Sequence, residues 1–278
     1  MQVKLISMTN DPIDVMWTAA RTCYSSKGPI EIFDNRYLDM MGVQWTNMNK
    51  EKEIKMWNLV KKVLDSGHQS IAEHVYFTFA IEGISRACSH QLVRHRAGIV
   101  FSQQSQRYVE IKEDFQTIYD LLHAVSPARV KDDLISICEK YFVDVNDNNY
   151  YSYAYCLLDY LKSVKAGIKP EDARNILPNA TKTNITMSVN LRELIHMCNL
   201  RLCTRAQKEI RDLFTLIKKQ VEQVQPELAT YLVPQCEIND ICFEDKCCGR
   251  KPTIKEVKLI YNKFKNRSEG MLTLMHSK

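Results

Sequence analysis

The sequence predicts an α+β fold with a main domain over residues 1–230 and an extension over residues 231–278. Two observations support this prediction. Segments with strand periodicity and segments with helix periodicity are mixed along the chain without a regular β-α-β alternation. In addition, 45% of the 278 residues are hydrophobic, which is enough for one sizeable core. Charged residues make up 26% of the chain, as in an ordinary globular protein.

Local patterns justify each element in chain order. Residues 3–8 alternate as a strand does, and Asp11 followed by Pro12 predicts the start of a helix. Further strands are predicted where β-branched and aromatic residues gather, over residues 74–84 and 183–190. Further helices are predicted over residues 50–65 (ended by Gly67), 85–93, 131–165 and 191–222, with a turn and a short helix over residues 166–178.

Charge and apolar pattern narrow the functional classes. A net charge of +5 suits an anionic small molecule as well as nucleic acid. No apolar run approaches the roughly 20 residues of a membrane span, and the N-terminus lacks the pattern of a signal peptide. We therefore expect a cytoplasmic protein without a membrane partner. No two of the eight glycines lie close enough for a G-x-G-x-x-G loop or a P-loop, so side chains, mainly arginines, would have to hold any nucleotide phosphate.

The ten cysteines fall into two groups. Six are scattered through predicted helices, where buried reduced thiols are the favoured interpretation. The other four, Cys236, Cys242, Cys247 and Cys248, crowd into "CEINDICFEDKCCG". Their spacing is not that of two C-x-x-C knuckles, and adjacent cysteines rarely bind one metal ion together. We therefore favour a reduced or redox-labile segment over a zinc site and predict no metal.

The predicted helix over residues 191–222 carries two polar stripes that flank one apolar stripe. The stripes are Arg192, His196 and Asn199 on one side and Arg201, Arg205 and Lys208 on the other. Periodicity alone favours a helix with solvated edges, and the alternative is a helix that serves a different pocket on each flank. Asn190 is placed to cap its N-terminus, with Glu193 three residues on.

The segment "GHQSIAEH", residues 67–74, is equally ambiguous. Ser70 and Glu73 have the spacing of a capping box, which needs no function. His68 and His74 bracket them, but no third ligand at a suitable spacing supports a metal site.

The segment "RHRAGIVFSQQSQRY", residues 94–108, places a dense group of cations before a polar cluster. Arg94, His95 and Arg96 repel one another unless anions separate them, and Gln91 shares a helix face with Arg94. A solvated basic turn, or the phosphate contact of a nucleic-acid-binding domain, would explain the charges. The apolar run over residues 97–101, which we expect to be buried, argues against both.

These residues resemble the flavin-dependent thymidylate synthase family. Its R-H-R motif, then seven or eight residues, then S-x-R-Y, is matched by Arg94-His95-Arg96, eight residues, and Ser105-Gln106-Arg107-Tyr108. Further similar segments are "GHQSIAEHVYFTF", "ARNILP" and "SVNLRELIHMCNLR". Together the matching segments span about residues 67–210.

The resemblance implies a reaction and an assembly. Such enzymes convert dUMP to dTMP with a methylene group from 5,10-methylenetetrahydrofolate and hydride from FADH2, which NADPH regenerates. The resemblance also implies a mixed α/β domain of this family's type and a homotetramer that binds FAD and dUMP at subunit interfaces. No cysteine nucleophile is implied. The nearest candidate for the unrelated cysteine-dependent class is Cys236 in "PQCEIN", which no histidine follows.

Residue roles carry over by motif position. The residues implied to bind dUMP are Gln91, Arg94, Gln103, Ser105, Gln106, Arg107, Arg174 and Arg201. The residues implied to bind FAD are His68, Ser70, Glu73, His95, Arg96, Ala97, Asn190, Arg192 and His196. Ser105 and Arg201 are the implied catalytic residues. The sequence places no histidine as a base for Ser105, so we interpret it as a positioning donor rather than a nucleophile.

The chain departs from the family pattern at three positions. Gln103 stands where many members have glutamate, His196 where many have asparagine, and Arg205 where some have histidine. Two other functions stay open at this point. One is a nucleic-acid-binding domain that uses residues 94–107 on phosphates. The other is a flavoprotein with a different outcome, such as an NADPH oxidase or a related uridylate-modifying enzyme.

Overall fold

The computed structural model describes residues 1–38 and 48–264 and divides into two compact units, Met1–Glu193 and Leu194–Lys278. Within the described residues the strands are β1 (Gln2–Met8), β2 (Tyr76–Ser85), β3 (Ile99–Gln103) and β4 (Lys182–Asn190). The helices are α1 (Pro12–Thr22), α2 (Pro29–Leu38), α3 (Met48–Asp65), α4 (Arg86–Leu92), α5 (Phe115–Leu122), α6 (Pro127–Tyr141), α7 (Tyr150–Lys165), α8 (Pro170–Ala173), α9 (Leu191–Arg201), α10 (Lys208–Val224), α11 (Pro226–Ala229), α12 (Gln235–Asn239) and α13 (residues 254–264). Short 3-10 helices cover Gln69–His74 and Arg174–Ile176. The domain boundary near residue 230 stays a prediction.

In the first unit, the described strands form an antiparallel sheet in the order β1-β2-β4-β3. The central strand β2 alternates as its sequence requires, because Phe77, Phe79 and Ile81 are buried and the residues between them are less so. β3 pairs with β4 and lies at the edge of the sheet, with Gln103 opposite Ile185. The sheet therefore places the start and the end of β3 at opposite ends of β4.

A further core of the first unit lies among α5, α6 and α7. Ile118, Leu134 and Leu157 are fully buried there. At the start of α4, the hydroxyl of Ser85 accepts a hydrogen bond from the backbone amide of Cys88 at 2.9 Å. This cap fixes where the helix begins, directly after β2.

In the second unit, the prediction of a single helix over residues 191–222 is wrong. α9 ends at Arg201 and α10 begins at Lys208. Residues 202–207 turn between them, where Nη1 of Arg211 donates to the carbonyl oxygens of Thr204 at 2.9 Å and Ala206 at 3.2 Å. Helical periodicity could not indicate this break, because a side chain of the next helix satisfies the carbonyl groups that the break exposes.

The mixed α/β architecture and most predicted elements are confirmed. The predicted strands appear as β1, β2 and β4, the predicted helices before residue 93 as α1, α3 and α4, and residues 131–165 as α6 and α7. α2, α5 and β3 were not predicted. Within the described residues, no helix is both long and apolar enough to cross a membrane.

Two local expectations are wrong. The apolar run over residues 97–101 is not buried as a whole, because β3 is an edge strand and Val100 is 64% exposed. Ser70 and Glu73 do not form a capping box, because Ser70 lies inside the 3-10 helix Gln69–His74, whose cap residue His68 makes no capping side-chain hydrogen bond.

Candidate active site

A cavity of about 450 Å³ lies at the end of the sheet where β2 and β3 end and β4 begins. Ser105 and Gln106, from the loop after β3, line it together with Arg174. Other lining residues that matter below are Gly83, Gln104, Tyr141, Thr181, Thr183 and Asn184. Three residues implied to bind dUMP therefore share one cavity in the first unit.

Glu171 joins two of the predicted substrate arginines. Its Oε2 accepts a hydrogen bond from Nε of Arg107 at 2.8 Å, and its backbone carbonyl accepts one from Nε of Arg174 at 3.0 Å. Oγ of Ser105 accepts from the backbone amide of Arg107 at 3.2 Å, which closes the turn after β3. The Arg107 side chain is 54% exposed, so an anion can reach its outer N–H groups.

Arg86, the first residue of α4, is a further cation beside this group. Burial, and then the positive charge of Arg174, lower the pKa of its guanidinium. Among the described residues, no carboxylate offsets this shift. The backbone amide of Arg86 donates to the carbonyl of Thr181, a cavity residue, at 2.9 Å. Two guanidinium groups that repel one another beside a cavity are stabilised when an anion binds near both.

Asn184 on β4 ties two parts of the cavity wall together. Its Oδ1 accepts a hydrogen bond from the backbone amide of Gly83 at 3.1 Å. Its Nδ2 donates to Oε1 of Gln104 at 3.2 Å. The amide of Gln104 is therefore held at the cavity surface.

Gln103 does not line the cavity within the described structure. Its Nε2 donates to Oγ of Ser89 at 3.1 Å and to Oγ1 of Thr183 at 3.2 Å. Because neighbouring residues of a strand point to opposite faces, Gln104 rather than Gln103 meets the cavity. The predicted contact of Gln103 with dUMP would be indirect, through Thr183.

The predicted flavin residues of the first unit gather at the opposite end of the sheet, where β2 and β3 begin and β4 ends. Tyr76 pairs with Asn190 across this end. The backbone amide of Asn190 donates to the carbonyl of Gly98 at 2.8 Å, and its Oδ1 accepts from the amide of Glu193 at 2.9 Å. The second contact confirms that Asn190 caps α9.

The basic side chains around this end differ in burial. His95 is buried, and its Nδ1 lies 3.0 Å from Oε1 of Glu193 in a hydrogen bond. Arg96 and Arg192 are both exposed, and Arg192 forms an ion pair with Glu73. His68, Ser70 and Ala97 are also exposed.

β3 separates the two groups of predicted site residues. Five residues of strand span roughly 17 Å at about 3.3 Å per residue. Gln91 and Arg94, implied to bind dUMP, precede β3 and do not line the cavity that Ser105 lines. In the second unit, His196 is exposed on α9 and Arg201 is its last residue.

Comparison with known proteins identifies the family. The model of the family described as thymidylate synthase complementing protein matches residues 4–227. The flavin-dependent thymidylate synthase of Geobacter sulfurreducens is 36% identical over 257 residues, which cover 92% of this chain and 97% of that protein. The chain belongs to the flavin-dependent thymidylate synthase family.

Solved structures share the fold of this family member. The flavin-dependent thymidylate synthase of Helicobacter pylori, complexed with FAD and dUMP, has a TM-score of 0.62 at 23% identity and covers 84% of this chain and 100% of its own. The UMP/dUMP methylase PolB of Streptomyces cacaoi, bound with 5-Br dUMP, has a TM-score of 0.58 at 20% identity and covers 83% of this chain and 93% of its own. At these identities the likeness shows the fold alone.

Three candidate site residues of this family member were missed by the sequence analysis. Arg86 had a usable signal, because a basic residue in the first turn of a helix opposes the helix dipole. Gln104 had no clear signal, because it directly follows β3, a strand that the sequence did not indicate. Glu171 had no signal of its own, since only the folded chain brings it to Arg107.

Proposed function

We propose that this protein is a flavin-dependent thymidylate synthase that converts dUMP to dTMP. The carbon donor is 5,10-methylenetetrahydrofolate, and NADPH supplies the reducing hydride through FAD. Family membership supports the reaction class. The single observation that carries the proposal on this chain is the cavity that Ser105 and Arg174 share, with Arg107 and Arg86 beside it.

The arginines around the cavity suit the phosphate of a nucleotide. Arg107, oriented by the carboxylate of Glu171, presents a planar set of N–H donors. Arg86 and Arg174 repel one another, and a phosphate near both would remove that cost. The hydroxyl of Ser105 adds a neutral donor. These side chains do the work that a glycine-rich loop performs in other nucleotide-binding proteins.

The residues that line the cavity support chemistry without a cysteine nucleophile. Among the described residues that line it, none is a cysteine or a histidine. A thiol adduct is therefore not supported, and Ser105 has no imidazole base beside it there. We assign Ser105 the role of positioning donor. We assign Arg201, by its motif position, the role of stabilising negative charge that develops at C5 of uracil.

The residues around the start of β3 fit FAD by their chemistry. A diphosphate needs exposed cations, which Arg96 and Arg192 supply. Position 98 must be glycine, because its φ of +64° and the nearby side-chain amide of Asn190 leave no room for a Cβ atom. The hydrogen bond between Nδ1 of His95 and Glu193 would fix the orientation of the imidazole ring, and with it the direction of Nε2, for contact with FAD. When bound, reduced FAD supplies the hydride.

The separation of the two sites supports a homotetramer with shared active sites. Hydride transfer needs reacting atoms about 3–3.5 Å apart, whereas the two groups lie on either side of the strand β3. We propose that Gln91 and Arg94 of one chain complete the cavity of another. The exposed Val100 on the edge strand fits such an assembly. We also propose a cytoplasmic location, which is consistent with membership of this enzyme family.

A visible spectrum and an NADPH oxidation assay test this proposal. The purified protein is expected to be yellow and to oxidise NADPH faster when dUMP is added. An Arg174→Gln variant should lose the stimulation by dUMP, whereas Arg21→Gln, a change at an exposed residue of α1, should keep it. A colourless protein that binds DNA in a strongly salt-dependent manner would instead support the nucleic-acid-binding alternative.

A further inference from the structure

The sheet contains a β-bulge beside the cavity of the first unit. The register of β2 against β4 shifts between Ile81 and Ile84. Two residues of β2, Glu82 and Gly83, therefore oppose the single residue Asn184, which is the arrangement of a β-bulge. All three line the cavity. The backbone amide of Gly83 donates to Oδ1 of Asn184 at 3.1 Å, so the bulge directs a backbone N–H group at a side chain of the cavity wall.

This N–H group fixes the orientation of the Asn184 side chain. A backbone amide can only donate a hydrogen bond, so Asn184 must turn its side-chain oxygen toward Gly83. Its Nδ2 then faces Gln104 and donates to Oε1 at 3.2 Å. The backbone amide of Gln104 also donates to the carbonyl oxygen of Asn184 at 2.9 Å, which holds the two residues side by side. The hydrogen-bond partners therefore determine the orientation of both side-chain amides.

The same chain of hydrogen bonds determines which group Gln104 offers to a ligand. Because Oε1 is turned toward Asn184, the group that is turned away from it is Nε2, with two N–H donors. Among the described residues, Nε2 of Gln104 has no hydrogen-bond acceptor. Gln104 is exposed and lines the cavity. A ligand in the cavity would therefore meet a donor at this position.

The surroundings of Gln104 suit a base rather than a phosphate. Glu82 places a carboxylate on this part of the cavity wall, which repels an anion. The proposed phosphate contacts lie further along the chain, since the backbone amide of Arg86 donates to the carbonyl of Thr181 at 2.9 Å. Thr181 precedes Asn184 by three residues, or about 10 Å of extended chain. A nucleotide whose phosphate lies near Arg86 can therefore extend its base toward Gln104.

We propose that Asn184 makes the site selective for uracil over cytosine nucleotides, by holding Nε2 of Gln104 toward O4 of uracil. The inference rests on the proposed function, since it takes dUMP as the occupant of the cavity. The two bases differ at this atom, because uracil carries a carbonyl acceptor where cytosine carries an amino donor. An N–H group at this position pairs with uracil and opposes cytosine. Asn184 is thus a positioning residue that acts through Gln104 without touching the base.

Asn184→Asp is expected to reverse this selectivity. An ionised carboxylate still accepts from Gly83 but cannot donate to Gln104, so the carboxamide of Gln104 should turn and donate to the new carboxylate. Its Oε1 would then face the base and accept from the amino group of cytosine. One neutral hydrogen bond changes affinity by about 2- to 10-fold, and here one is lost and one is gained. The ratio of the Kd for dCMP to the Kd for dUMP should therefore fall by about 4- to 100-fold.

Gln104→Glu tests the same reasoning at the other residue. Its carboxylate still accepts from Asn184 but offers the base only acceptor atoms, so the ratio of the two Kd values should fall in the same direction. Gln104 is exposed and directly follows β3, so this variant should fold even if Asn184→Asp does not. Asn148→Asp is the matched control, because it makes the same chemical change at an exposed residue that does not line the described cavity. The control should keep the wild-type ratio.

Equilibrium dialysis of the flavin-loaded, full-length protein against radiolabelled dUMP and dCMP measures both dissociation constants. The wild type is expected to bind dUMP more tightly than dCMP. A carboxylate that only repels the phosphate, or a general loss of structure, would weaken the binding of both nucleotides equally and leave the ratio unchanged. An unchanged ratio in either variant that folds would overturn the inference and leave the proposed function intact. A wild-type protein that binds neither nucleotide would overturn the proposed function, and this inference with it.

Discussion

Replacing Gly98 by alanine is expected to destabilise the protein through Asn190. Gly98 has a φ of +64°, and an added Cβ would lie 2.6 Å from Cγ and 3.0 Å from Oδ1 of Asn190, with Nδ2 closer still. The Asn190 side chain would have to move, although its Oδ1 caps α9 through the amide of Glu193. Alanine in the left-handed region costs about 1 kcal/mol, and loss of a cap costs about 1 kcal/mol.

The total effect is large enough to measure. With about 1–3 kcal/mol added for the overpacking of a rigid site, the free energy of unfolding should fall by about 3–5 kcal/mol. At roughly 2–4 °C per kcal/mol for a chain of this size, Tm should fall by about 6–20 °C. The variant should also retain less flavin, because Gly98 and Asn190 both lie among the residues proposed to hold it.

Two other glycines serve as matched controls in the same thermal scan. Gly167 has a φ of +85° with nothing within 4 Å of an added Cβ, so Gly167→Ala should show the backbone cost alone, about 1 kcal/mol. Gly28 is free of both constraints, so Gly28→Ala should change stability by less than about 0.5 kcal/mol. If Gly98→Ala costs no more than Gly167→Ala, the contact with Asn190 does not constrain the site and the reasoning is refuted.

Four further predictions concern the cavity. Arg86→Gln should raise the KM for dUMP about 10- to 100-fold, the effect of losing a hydrogen bond to a charged group, and an unchanged KM in steady-state kinetics would contradict it. Glu171→Gln should raise the same KM because its partner arginine loses its orientation, yet Tm should shift little, since an exposed ion pair contributes about 0–1 kcal/mol. Ser105→Ala should keep kcat within about tenfold, whereas loss of a true nucleophile costs roughly 10⁶-fold; complete loss of turnover with dUMP still bound would refute the positioning role. Burial, and then Glu113, raise the pKa of Tyr141 to about 12. The neutral Tyr141 phenol therefore contributes fully to stability below pH 10, near its pKa in the unfolded chain, and this contribution is lost as the pH rises toward 12. Over that pH range the Tm of Tyr141→Phe should fall less than the Tm of the wild type. Equal falls in Tm would contradict the prediction.

The sequence indicated the sheet because its central strands have one strong periodicity. β2 alternates between buried and less buried residues over residues 76–82, and this alternation is visible in the sequence of the strand itself. β3 has five residues at an edge, so one of its faces is exposed and the run "IVFSQ" reads as an apolar segment without a clear period. The break after Arg201 was invisible for a different reason, because Arg211 satisfies the exposed carbonyls from the next helix.

Only the candidate site residues that lie within sequence motifs could be predicted. The motifs indicated Ser105 and Arg174, which the fold brings to one cavity although 68 residues separate them. They also assigned Arg94 to the same ligand, but Arg94 lies before β3 and does not line that cavity. Arg86 and Glu171 depend on which charges become neighbours in three dimensions, which periodicity and spacing do not encode.

Transfer of an isotope-labelled methylene group tests the central proposal most directly. The purified protein is incubated with dUMP, NADPH and methylenetetrahydrofolate labelled at the methylene carbon, and the nucleotides are separated and analysed by mass spectrometry. We expect labelled dTMP to form in proportion to the NADPH consumed, and an Arg174→Gln variant to form little. Consumption of NADPH without labelled dTMP would contradict the proposal and would leave an NADPH oxidase or another uridylate-modifying activity in its place.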